Sequence, residues 1–252
     1  MMSRSSAPLT ELGVLGDYRG LLFVDKPAGL QTEPDAKQQD TLVTRIAAQL
    51  RIASERVHAL SRLDTGVSGV VTLGLTTESR RLVNEWRERG AFHRRYVALA
   101  SGVAMSVSGA WGEPIGRGHG QLRRVGGRNP EAAHTDYAVV ASSPARTRAN
   151  PAQIALLALA PRTGRTHQLR VHAAAHGLPL LGDRAYGGVT RLISEDGRVS
   201  AFERIALHAA WIEVPGPEPV RINSPVPGAL TDVWLAAGGV ETALASALAT
   251  RL

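Results

Sequence analysis

Apolar residues in this chain come in short runs closed by turn formers. Leu21-Leu22-Phe23-Val24 ends in Asp25-Lys26-Pro27-Ala28-Gly29, the pattern of a strand entering a turn. Val70 to Leu75, Tyr96 to Ala100 and Leu207 to Val214 read as further strands, and residues 135–141 and 153–160 are strand candidates joined by a turn-like 142–152. Helical spacing is rarer. Leu42, Ile46 and Leu50 recur on one face after Asp40-Thr41. Thr77 is placed to cap a helix running to about Arg89 and stopping at Gly90. Thr166 to Ala175 is a helix candidate, and the Ala/Leu-rich end, 226–252, reads as helical. Residues 116–130 mix Gly with Arg and predict a mobile basic hairpin or loop.

Strands outnumber helices and do not alternate with them, which predicts an α+β fold over a doubly wound sheet. The chain of 252 residues is long enough for one large core. With no cysteine, disulfides, thiolate metal sites and thiol catalysis are excluded. No apolar run approaches the roughly 20 residues of a membrane span. Met1–Thr10 carries Arg4 but no apolar stretch of a signal peptide, so a loose tail at 1–10 and a cytoplasmic location are expected.

Charge sharpens this picture. The balance is +7, and only Lys26 and Lys37 are lysines, so nearly all the positive charge is guanidinium. Arginine forks suit phosphates and stack on bases, which points to a polyanionic partner. Aromatic residues are only 4%, too few for a stacking-platform binder of single strands.

Two stretches carry candidate chemistry. Ser61-Arg62-Leu63-Asp64-Thr65-Gly66-Val67-Ser68-Gly69 puts a carboxylate at the mouth of a buried strand. In isolation an Asp-Thr-Gly is an ordinary turn. The second stretch, Arg162-Thr163-Gly164-Arg165-Thr166-His167-Gln168-Leu169-Arg170-Val171-His172, runs from a strand through a Gly turn into a helix start, where free N–H groups attract anions. His172 and His176 have a zinc-compatible spacing, but no third ligand accompanies them, so no metal is expected. Gly116-x-Gly118-x-Gly120 lacks the Lys-Ser/Thr of a phosphate loop.

Together the two stretches resemble the RluA-type pseudouridine synthases. Val24-Asp25-Lys26-Pro27-Ala28-Gly29-Leu30, Arg95-Tyr96-Val97-Ala98, Leu180-Leu181-Gly182-Asp183-Arg184-Ala185-Tyr186-Gly187 and Leu207-His208-Ala209-Ala210 look like further family segments, in family order. The resemblance implies a long, mostly antiparallel mixed sheet with flanking helices and a central basic cleft. It implies Asp64 as the catalytic carboxylate, Tyr96 as base-stacking residue and possible proton acceptor, and Arg165 as the partner that keeps Asp64 charged. Arg62, Arg95, His167 and Arg170 are the implied RNA contacts. No cofactor or metal is implied; the implied partner is ribosomal or transfer RNA, and the default state is a monomer. Domain expectations are a tail at 1–10, a catalytic domain at 11–235, a C-terminal helical tail at 236–252 and no N-terminal S4 RNA-binding domain. Ser61 and Val67 stand where the family has His and Thr. These departures leave open a non-catalytic RNA-binding or chaperone protein derived from the family.

Overall fold

The computed structural model of the chain describes residues 11–143, 153–193 and 199–252. The expected tail at 1–10 and most of the turn expected at 142–152 lie outside that range.

Strands β1 (Val14–Tyr18) and β2 (Leu21–Lys26) form a hairpin around Arg19-Gly20, both at positive φ. A two-residue turn of that hand matches the twist of the strands it joins. Helix α1 (Leu42–Leu50) starts at Thr41, whose side chain and that of Thr44 cap each other's backbone N–H. It buries Leu42, Val43, Ile46 and Ala47, the face its spacing predicts, while Leu50 at the last turn is exposed. The short β3 (His58–Ala59) and the fully buried β4 (Ser68–Gly74) follow. Helix α2 (Thr77–Glu88) is capped by Thr76, one residue earlier than expected, because Ser79 completes the reciprocal cap from that position.

Strands β5 (His93–Ser101) and β6 (Ser108–Trp111) lead into a small sheet of β7 (Ile115–Arg117), β8 (Arg123–Val125) and β9 (Arg128–Glu131). The Gly/Arg segment is therefore three short paired strands, which the Gly content hid from a pattern reading. Strands β10 (Thr135–Ser143) and β11 (Ile154–Pro161) are followed by α3 (Gln168–Ala175), two residues shorter than expected at its start. A two-stranded pair, β12 (Arg191–Ile193) with β13 (Val199–Ala201), precedes β14 (Leu207–Val214) and β15 (Val220–Asn223). Helices α4 (Gly228–Ala236) and α5 (Glu241–Ala249) close the chain.

The main sheet runs β1-β2-β4-β14-β5-β11-β10-β6, with β3 also on β4 and β15 also on β14. The β4–β14 pair is parallel and the other pairings are antiparallel, so the expected α+β fold with a long, mostly antiparallel mixed sheet is observed.

Both faces of the sheet are covered. That is why its central strands read as continuous apolar runs instead of alternating ones. Tyr96, Ala98 and Ala100 of β5 and Leu157 and Leu159 of β11 face a core shared with α1 and α3. Val97, Leu99, Ile154 and Leu156 face the opposite core, with Leu230 and Trp234 of α4 and Ala243, Leu244 and Ala247 of α5. Each fully buried Leu or Ile there contributes about 1.5–3 kcal/mol of hydrophobic stabilisation. No helix among the described residues is long and apolar enough to cross a membrane.

Candidate active site

A groove of about 1040 Å³ runs over the face of β5 that carries Tyr96. Its wall includes six arginines (Arg62, Arg87, Arg94, Arg162, Arg165 and Arg170) against three carboxylates (Glu33, Asp35 and Asp64). The lining is thus net basic, as a polyanion site requires.

Asp64 enters this groove from a turn that is tied on every side. The Thr32 hydroxyl donates to the Leu63 carbonyl at 2.9 Å and accepts from its N–H at 3.2 Å. Val67 N–H closes the turn onto the Asp64 carbonyl at 2.9 Å, and Gly29 N–H donates to Thr65 at 2.6 Å. The two departures from the family pattern sit in this frame. The Ser61 hydroxyl accepts from Thr72 N–H at 2.8 Å, and Val67 is buried in the core. Both support the backbone around the carboxylate and leave its oxygens to other groups.

Gly69 explains the last letter of the motif. It has φ 116°, and a Cβ there would collide with the backbone of Ala209 where β4 and β14 run parallel. Only glycine permits that approach.

The partner of Asp64 is Arg170. Its Nη1 donates to Asp64 Oδ2 at 2.7 Å, while Nε and Nη2 grip Asp183 at 2.7 and 2.8 Å. Burial disfavours the Arg170 charge, but the two carboxylates outweigh it and raise the pKa above the ordinary arginine value. Arg170 sits in the first turn of α3, and helical side chains lean toward the N-terminus, which carries the guanidinium back into the groove. The expected pairing of Arg165 with Asp64 is therefore corrected. Arg165 Nη1 bonds Glu131 and its Nε donates to the Ala132 carbonyl at 2.9 Å. The expected role of Arg170 as an RNA contact is corrected with it, since its side chain is only 8% exposed and both carboxylates occupy its fork.

Arg95 is the other correction. Side chains alternate across a strand. Tyr96 faces the groove, so Arg95 faces the opposite side, buried over the Trp211 ring at 5.1 Å. It is not placed to meet RNA. Arg94, on the Tyr96 side, lines the groove and donates to the Pro161 and Thr163 carbonyls at 3.1 and 2.8 Å. Strand parity applied to Tyr96 would have selected it.

The remaining expected residues are at the groove. Tyr96 is buried beneath it, and that burial raises its pKa, with Arg94 opposing and Asp64 adding to the rise. Arg62 is exposed at the rim, 3.4 Å from Glu33. His167 lies beside the carboxylate, Nε2 3.9 Å from Asp64 Oδ2, with its pKa lowered chiefly by burial.

Sequence reasoning missed Gln168. Its buried amide accepts from the Thr163 hydroxyl (2.7 Å) and Arg165 N–H (3.0 Å), and donates to the His134 carbonyl (2.9 Å) and the Thr135 hydroxyl (3.0 Å). It fixes the turn that delivers His167 and Arg170. The two histidines with zinc-like spacing are used otherwise: His172 bonds Thr135 and the Glu113 carbonyl, and His176 bonds the Glu113 carboxylate.

Comparison with known proteins identifies the family. The family model described as RNA pseudouridylate synthase matches residues 20–175. The chain is 35% identical over 214 residues to an uncharacterized RNA pseudouridine synthase of Bacillus subtilis, covering 82% of this chain and 65% of that protein. It is 34% identical to ribosomal large subunit pseudouridine synthase D of Xanthomonas campestris, covering 86% and 66%. It thus spans just under two thirds of the length of these two relatives. It is also 34% identical to the dual-specificity RNA pseudouridine synthase RluA of Escherichia coli, covering 78% of this chain and 84% of that protein. Human RNA pseudouridylate synthase domain containing 4 shares the fold, with TM-score 0.66 at 23% identity, covering 90% of this chain and 93% of that one.

Proposed function

The chain belongs to the RNA pseudouridylate synthase family, and from that membership we propose that it converts uridine to pseudouridine within RNA, with Asp64 as the reacting carboxylate. One observation carries the proposal: Asp64 stands at the wall of a basic groove with one oxygen held by Arg170 at 2.7 Å and the Tyr96 ring beneath. The bond from ribose C1′ to N1 breaks, the base turns, C1′ bonds to C5, and the C5 proton is lost while N1 gains one. A carboxylate serves this reaction only when ionised, acting on the sugar as nucleophile or base. Arg170 supplies the opposing charge that favours the ionised form.

Tyr96 is assigned to stacking on the uracil. Burial disfavours its ionised form. Arg62 is assigned to a phosphate at the rim, where it is exposed. A uridine inside a duplex must first leave its stack, at a cost of a few kcal/mol. Ribosomal RNA is the substrate class we favour, from relatives named as ribosomal large subunit synthases. Transfer RNA is the comparison substrate in the test.

The rival reading, a non-catalytic RNA binder, rested on Ser61 and Val67. Those side chains support the backbone and make no contact with the oxygens of Asp64, which favours the synthase reading. Tritium release from RNA labelled at uridine C5 separates the two readings. The wild-type chain should release tritium and the Asp64→Asn variant should not, with an unchanged fold by circular dichroism. RNA binding on a gel without tritium release by the wild type would refute the synthase assignment.

A further inference from the structure

A hydrogen-bonded chain outside the Asp64–Arg170 pair leads from the small basic sheet to His167, whose ring faces the same carboxylate oxygen. The Arg123 N–H at the start of β8 donates to the Tyr186 hydroxyl at 2.9 Å. That hydroxyl lies 2.8 Å from His167 Nδ1, and His167 Nε2 stands 3.9 Å from Asp64 Oδ2. The Arg170 guanidinium lies over the Tyr186 ring, 4.9 Å from its centroid. One tyrosine therefore touches both groups that flank Asp64 Oδ2.

A phenol has a single hydrogen. The Tyr186 oxygen already accepts from Arg123, so its hydrogen is free to go to His167 Nδ1. The imidazole proton is then on Nε2, facing Asp64, an assignment made from the network. At 3.9 Å this N–H is too far for a hydrogen bond and acts on the carboxylate as an oriented dipole. The backbone agrees with an aiming role. His167 holds φ 58° at the N-cap of α3, yet its side chain makes no capping bond. A left-handed non-glycine residue at a site is held there by its surroundings.

We propose that Tyr186 is a positioning residue of this site: its hydroxyl selects the His167 tautomer that faces Asp64, and its ring seats Arg170. Asp64 Oδ2 is thereby held by the Arg170 hydrogen bond and faced by the His167 N–H dipole, and Oδ1 is left to the substrate sugar. The kinetic consequence rests on the synthase reading; the tautomer does not.

Tyr186→Phe keeps the ring and removes the hydroxyl. Nitrogen-15 spectra of the His167 imidazole should show Nε2 protonated and Nδ1 bare in the wild type, and a tautomer mixture in the variant. Tritium release should show kcat lowered about tenfold with KM within about twofold. His167→Asn tolerates the left-handed backbone and can accept from Tyr186, but its shorter side chain has no N–H at the Nε2 position that faces Asp64. It should lower kcat similarly, and the double variant should lose little more. An unchanged tautomer in Tyr186→Phe overturns the proposal, as does wild-type kcat in an active enzyme. So does a joint collapse of kcat, KM and melting temperature, which marks a structural role. If Tyr186→Phe does not fold, His167→Asn decides by the same kcat and KM criteria. A wild-type chain inactive on every RNA defeats the synthase reading, and the tautomer comparison still decides this one.

Discussion

Arg170 holds Asp64 and Asp183 with one guanidinium, at 2.7 Å from the former and through a two-pronged contact with the latter. Asp183 is almost wholly buried, so removing the arginine strands a carboxylate in the core. Breaking a buried pair in this way costs about 3–5 kcal/mol. Arg170→Met should therefore lower the denaturation midpoint clearly and abolish tritium release. Arg165→Met breaks a more exposed pair with Glu131, worth about 0–1 kcal/mol, and should leave the midpoint nearly unchanged. Urea titration of both variants checks the contrast. Equal destabilisation would reverse the assignment of partners made here.

Arg94 and Arg95 provide a second contrast. Arg94 ties the groove face of β5 to the turn that delivers His167 and Arg170. Arg94→Gln should reduce kcat/KM by about tenfold or more, since small displacements of positioned groups are costly. Among the described residues, Arg95 Nε and Nη1 are buried without a hydrogen-bond partner, over the Trp211 ring. Arg95→Met should keep kcat/KM within about twofold and leave stability equal or improved. Steady-state tritium release on purified variants measures both, and a larger activity loss from Arg95→Met would contradict the parity argument.

Gly69→Ala tests the close pass of β4 and β14. The added methyl would meet the Ala209 backbone, and φ 116° is unsuited to alanine. Together these should cost on the order of 2 kcal/mol or more. Thermal denaturation reads it directly; a melting temperature equal to wild type would show that the strands can separate at no cost.

His208 predicts how stability responds to acid. It is buried between Ser68, 2.8 Å from Nδ1, and Ser224, with Asp25 and Arg204 as the charged groups near it. Burial lowers its pKa from 6.5 to about 4. The unfolded chain takes up this proton near pH 6.5, whereas the folded chain waits until about pH 4. Stability is thus fully present above pH 6.5 and falls by up to about 3 kcal/mol as the pH drops to 4. Urea titrations across this range should show the slope, and His208→Gln should flatten it. An identical slope in the variant would assign the acid sensitivity to other groups.

Polyanion binding predicts a salt response. RNA affinity should fall linearly on a log–log plot against salt concentration, and Arg62→Ala should reduce the slope by about one. Filter binding at several salt concentrations checks this. An unchanged slope would remove Arg62 from the set of phosphate contacts.

The amino-acid sequence alone determined the elements that depend on neighbours along the chain. The helix at 42–50 was legible because its apolar spacing and its Thr41 cap are both local, and the strands read at 21–24, 70–75, 96–100 and 207–214 because buried runs end in turn residues, although three of them extend or shift by a few residues in the fold. The family resemblance of its motifs implied that Asp64 and the 162–172 turn belong to one site. Only the tertiary structure decided which arginine meets the carboxylate. Arg165 and Arg170 carry the same charge and lie in the same motif. The Gln168 hydrogen bonds and the lean of side chains in the first turn of α3 send one to Glu131 and the other to Asp64. The close parallel approach of β14 to β4 made Gly69 obligatory. Local propensity acts over a few residues, whereas a pairing across 106 positions exists only once the sheet has brought its two ends together.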